Sequence, residues 1–158
     1  MIDLKSLFER PKIDTHFHTG GWNVVQPKQD FKSLSKILDK YNIVKAITSS
    51  TRALNDNLAE GNAETAALCS IEPRFYGLIV VNPLKLEESL REIHKYSDCD
   101  RFVGIKTIQD FYGITLADSR YYVVLENAAN LNLPVMAHLG GLAKAARDWP
   151  INFIAAHS

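Results

Sequence analysis

The octapeptide IDTHFHTG, residues 13–20, places Asp14, His16 and His18 at alternate positions behind a short apolar lead. Residues two apart on a strand project to the same face, roughly 6.5 Å apart along the chain, so two imidazoles there can turn toward one point. Neutral imidazole is a good ligand for zinc and other borderline divalent ions, at metal to nitrogen distances of ~2.0 to 2.1 Å. Asp14 shares the parity of the pair, which suits a carboxylate that orients one ring. The bland reading of these eight residues is a histidine-rich turn or a hydrogen-bonded core pair, so the elements that would carry them have to decide.

Those elements alternate. Brief apolar runs rich in β-branched residues occur at KIDTHFH, IVKAITSS, RFYGLIVVNP, FVGIKTI, LPVMAHLG and INFIAAHS, and read as six strands. Between the first two, Phe31, Leu34, Leu38 and Tyr41 recur at helical spacing behind Asp30, a suitable N-cap. Leu86, Leu90 and Ile93 repeat the pattern after Pro83, and Tyr121, Leu125 and Ala128 or Ala129 repeat it after Asp118 or Ser119. The stretch NDNLAEGNAETAALCS reads as a weaker helix because Gly61 interrupts it. Apolar strands separated by helices are parallel, since each crossover returns the chain to the same direction, and the architecture is α/β.

The polar residues that terminate the strands carry the information. His16 and His18 end the first, Thr48 with Ser49 and Ser50 the second, Asn82 the third, Lys106 the fourth, His138 the fifth and His157 the sixth. Four of the five histidines thus fall at carboxyl ends of strands, the rim at which parallel barrels and open α/β sheets bind ligands. His138, from a neighbouring strand end, could complete a set of three with His16 and His18 and leave a position open for water, the pattern of a catalytic ion.

In that order and at those strand ends, IDTHFHTG, FVGIKTI, LPVMAHLG and INFIAAHS resemble the amidohydrolase superfamily, in its amidohydrolase-related branch of metal-dependent hydrolases and decarboxylases. The resemblance runs from about Lys12 to the end of the chain. It implies metal ligation by His16, His18 and His138, and for His157 a place on a second metal or on substrate. Lys106 maps to a lysine that is a carboxylated bridging ligand in some relatives and another active-site group in others. The implied cofactor is a divalent ion, zinc foremost, at one or two positions. The implied reaction is attack of metal-activated water on an amide, ester or lactone bond of a small molecule, with His157 and Lys106 as catalytic groups.

The family fold is an eight-stranded (β/α) barrel of ~250 residues. Set against it, a chain of 158 residues is expected to form a single incomplete barrel domain of about six parallel strands, without the last two βα units and the proton-accepting aspartate that follows the final strand in relatives. Reduced activity or a metal-binding remnant is the matching expectation. Non-oxidative decarboxylation of an aromatic acid on the same metal face is the nearest alternative. A TatD-type metal-dependent nuclease also begins with D-x-H-x-H, but carries an acidic residue where this sequence has GIKTI; PHP-type phosphoesterases share only the opening motif.

Composition limits the partners. Eighteen basic residues balance eighteen acidic ones, so nothing supports a nucleic-acid partner, which needs a basic excess. No apolar run approaches the ~20 residues of a membrane span, and the first dozen residues lack a signal-like core. Cys69 and Cys99 stand alone, which fits a reducing compartment, the cytoplasm by default. An open sheet exposes two edges, so self-association is expected. His94, on a charged helix, reads as surface. Trp22 and Trp149 could line a pocket mouth, though aromatics more often pack, and Thr48 and Asn82 could touch substrate or serve as caps.

Overall fold

A computed structural model describes residues 9–21, 30–55 and 57–157. Six strands form one sheet in chain order: β1 (Lys12–Thr19), β2 (Ile43–Ser50), β3 (Phe75–Val80), β4 (Phe102–Lys106), β5 (Val135–Ala137) and β6 (Phe153–Ala155). Every neighbouring pair is parallel. Parallel crossovers are right-handed, so a sheet whose spatial order never reverses sets all its helices on one face and curls around the other. The product is a half-barrel, and the sequence-based reading of a partial (β/α) barrel holds.

The helices follow their strands: α1 (Phe31–Lys40), α2 (Leu58–Ile71), α3 (Leu86–Tyr96), α4 (Tyr122–Asn130) and α5 (Leu142–Asp148). Asp30 caps α1 by accepting the Ser33 N–H at 2.7 Å. Leu34 and Leu38 are buried beneath α1, whereas Phe31 and Tyr41, at the ends of the same stripe, are exposed. Single helical turns follow β2 (Thr51–Leu54) and β4 (Gln109–Tyr112), too short for periodicity to reveal.

Gly61 does not interrupt α2. A Cβ at this position would lie 2.1 Å from the Ala53 backbone nitrogen, so glycine lets α2 seat against the turn that follows β2. Two apolar layers sandwich the sheet. Ile79, Ile105 and Val135 pack under α3 and α4 with Ile93, Tyr121 and Leu125, while Leu78 and Met136 face the concave side with Ile47, Val103 and Ile154. Adjacent residues of β3 thus enter opposite layers, as a pleated strand covered on both faces requires.

Trp149 belongs to the helix-side layer. Its ring lies 5.7 Å from that of Tyr122 and packs on the core, so it lines no mouth; Trp22 lies outside the described residues. Among the described residues, no helix is long and apolar enough to cross a membrane.

Candidate metal centre

All six carboxyl strand ends lie on one side of the sheet, and the sequence-selected side chains meet there. The ring centroids of His16 and His18 are 4.7 Å apart, those of His16 and His157 4.6 Å, and those of His138 and His157 5.2 Å. The contacts therefore run His18, His16, His157, His138. His157 occupies the middle of the row, a more central place than its position in the chain suggests.

β1 delivers the pair through an irregularity. Asp14 stands opposite Ala46, but Phe17 stands opposite Thr48 and His18 opposite Ser49, so β1 carries one extra residue between Asp14 and Phe17. Phe17 packs into the helix-side layer, and its neighbours His16 and His18 turn to the concave side. The extra residue breaks the alternation on which a shared parity for Asp14 rested. Asp14 accepts the His16 backbone N–H at 3.0 Å and orients neither ring of the pair.

Three of the four imidazoles have a polar neighbour at hydrogen-bond distance. The Nδ1 of His18 lies 3.1 Å from the Ser49 hydroxyl. The Nε2 of His16 lies 3.2 Å from the Lys106 ammonium nitrogen, on a side chain with no solvent exposure. The Nδ1 of His138 lies 2.8 Å from Asp110 Oδ2. Burial, and then the Lys106 charge, hold His16 and His18 down to about 4 from an ordinary 6.5. Burial likewise pushes Lys106 down to about 8. The two rings of β1 are thus neutral at pH 7, the form in which imidazole offers a lone pair.

This donor set suits a divalent ion by its chemistry. A ligating nitrogen about 2 Å from zinc puts each ring centroid roughly 3 Å from the ion and neighbouring centroids roughly 4.5 to 5 Å apart, a spacing that His16 and His18 meet at 4.7 Å, while His138 adjoins the pair through the ring of His157. The nitrogens themselves are not gathered: among the described residues, no three His, Cys, Asp or Glu side chains form a ready-made metal-holding group. Lys106 faces His16 Nε2 at 3.2 Å, so in this arrangement that lone pair meets the ammonium.

Of the other rim candidates, Asn82 serves as a cap, its side-chain oxygen accepting the Leu84 N–H at 2.9 Å. Thr48 is fully buried, and among the described residues its hydroxyl has no hydrogen-bond partner. His94 is exposed on α3, as its charged surroundings indicated. Sequence reasoning missed Gln109 and Asp110, both of which contact His138. They lie in a non-periodic stretch past the end of β4, and nothing in its residue pattern announces them.

Comparison with known proteins agrees with this architecture. The chain resembles a probable 2-pyrone-4,6-dicarboxylic acid hydrolase of Acinetobacter baumannii, solved with citric acid bound, at a TM-score of 0.62 and 18% identity over 90% of this chain and 57% of that one. It also resembles 5-carboxyvanillate decarboxylase of Novosphingobium aromaticivorans, solved with manganese and a nitrobenzoic acid ligand, at a TM-score of 0.64 and 17% identity over 90% and 56%. The chain thus spans just over half the length of these solved neighbours. A search of curated proteins finds no match. The profile of the amidohydrolase family, whose members are metal-dependent enzymes, matches residues 13–158, and the chain belongs to that family.

Proposed function

We propose that the imidazole row is the divalent-metal site of a hydrolase acting on a C–N or C–O bond of a small molecule, with His16, His18 and His138 as ligands and zinc as the ion. The observation that supports this reading best is the meeting of four imidazoles from β1, β5 and β6 at one mouth of the half-barrel. When bound, the ion would supply a Lewis acid and a water acidified from 15.7 to about 7.

The chain's own residues have distinct tasks. Ser49 fixes the rotation of His18, and Asp110 fixes that of His138. His157, exposed in the middle of the row, is the imidazole best placed to meet substrate. Lys106 is buried against His16 and can donate a hydrogen bond at the inner wall of the site.

Calorimetric titration of the metal-stripped protein with Zn²⁺ and Mn²⁺ tests the reading. One or two equivalents should bind, and His16→Ala should lose them; no tight binding, or equal binding in the variant, overturns it. A panel of lactones, esters and amides, run beside aromatic carboxylic acids with CO₂ detection, then separates hydrolysis from decarboxylation. The decarboxylase among the structural neighbours is the reason to include the second arm.

A further inference from the structure

We infer that Gln109 and Asp110, adjacent residues of the single turn after β4, are positioning residues that together fix the backbone, ring orientation and tautomer of His138. The inference rests on the proposed role of His138 as a ligand, but its geometry stands on its own.

Gln109 is almost fully buried, and its carboxamide is spent entirely on the segment that carries His138. Its oxygen accepts the His138 N–H at 3.0 Å, and its nitrogen donates to the His138 carbonyl at 2.7 Å and to the Gly140 carbonyl at 3.1 Å. One acceptor meets one donor and two N–H groups meet two carbonyls, so the amide has a single satisfying orientation. β5 is only three residues long and ends at Ala137, so His138 lies just beyond the sheet ladder. Gln109 gives its backbone the pairing that a longer strand would have provided.

Asp110 then sets the ring. A carboxylate oxygen 2.8 Å from Nδ1 requires a proton on that nitrogen, because a carboxylate only accepts. In the neutral ring, the lone pair therefore sits on Nε2, at the far side of the imidazole and available to an ion. The division of labour follows from exposure. The Asp110 side chain is 63% exposed and the ring of His138 20%, so the solvated carboxylate selects a tautomer while the buried amide supplies the rigidity.

Two measurements on the intact chain test this. Nitrogen-15 NMR of the metal-free protein, at a pH high enough that the ring is neutral, reads the His138 tautomer directly. Titration with Co²⁺, followed by visible absorption, reads ligation. We expect wild-type His138 as the Nδ1–H form, a shift toward Nε2–H in Asp110→Ala, and roughly 10- to 100-fold weaker Co²⁺ binding in that variant. Asp110→Asn, which keeps an acceptor oxygen, should recover part of the affinity. Melting temperature should be unchanged in both, because Asp110 is exposed. Gln109→Ala, checked for folding by circular dichroism, should speed amide exchange at His138.

An Nε2–H tautomer in the wild type, or Co²⁺ affinity unmoved in Asp110→Ala while His138→Ala loses it, overturns the positioning role alone. Equal Co²⁺ affinity in wild type and His138→Ala overturns the ligand reading beneath it.

Discussion

Replacing Gly61 by alanine sets two effects against each other on α2. Alanine is favoured over glycine inside a helix by about 1 kcal/mol, partly because glycine has more unfolded-state freedom to lose. Against this, the new Cβ would meet the Ala53 backbone nitrogen at 2.1 Å, its Cβ at 2.5 Å and its Cα at 2.6 Å. All three atoms belong to one residue and two are backbone, so no side-chain rotation relieves the clash. Either α2 or the Thr51–Leu54 turn has to move by roughly 1 Å to reach ordinary van der Waals contact. The bonds that tie those pieces together would be strained, including Ser50 Oγ to Glu64 at 2.9 Å and the Ser50 N–H to Thr65 Oγ1 at 3.1 Å. Overpacking costs about 1 to 3 kcal/mol, and the backbone target puts this case at the upper end. The net expectation is a loss of about 2 kcal/mol, or a fall of roughly 4 to 8 °C in Tm at this chain size. Urea and thermal unfolding of Gly61→Ala measure it. Ala63→Gly, at an exposed position of the same helix, calibrates propensity alone at about 1 kcal/mol. A Gly61→Ala protein as stable as the wild type, or more so, would refute the close-approach account and restore glycine as a mere interruption.

Acid stability should carry the signature of Glu72, a nearly buried carboxylate held down to about 2, chiefly by hydrogen bonds from the Arg74 guanidinium. A depressed carboxyl stabilises the fold above its unfolded value of 4.5 and loses that contribution as the pH falls toward 2. Glu72→Gln should therefore flatten the acid limb between those values in denaturant titrations. At pH 7 the same variant should lose roughly 2 kcal/mol, less than a fully buried pair, because Arg74 keeps Asp39; an acid limb unchanged by the substitution contradicts the assignment. Among the described residues, β1 and β6 each pair with one neighbour only, and Ile13 on β1 is 60% exposed. Sedimentation at rising concentration should show self-association through these edges, weakened by Ile13→Lys; a strictly monomeric wild type contradicts it.

Much of the architecture was legible because it is written in local periods. Brief apolar, β-branched runs mark β1 and β2 to within a residue of their ends, and the α1 stripe with its Asp30 cap marks a helix that the structure places at Phe31–Lys40. The rim is legible for a related reason: apolar strands end where polar residues begin, so a parallel sheet brings His16, His18, Lys106, His138 and His157 to one rim, and the observed strand order does so. The family followed from the same motifs, and its profile covers nearly the whole chain.

What only the tertiary structure decided depends on contacts between residues far apart in sequence. The extra residue in β1 appears only against β2, and it removes Asp14 from the role its parity suggested. Gly61 looks like a helix breaker until Ala53 is brought against it. Trp149 becomes packing once Tyr122 lies beside it, and the carboxylate that holds an imidazole proves to be Asp110, 28 positions from His138. Residue types and their spacing announce which elements form, because propensity and burial act over a few neighbouring positions. Which side chain steadies which is fixed only when the sheet curls, since packing and hydrogen-bond partners are properties of the assembled layers.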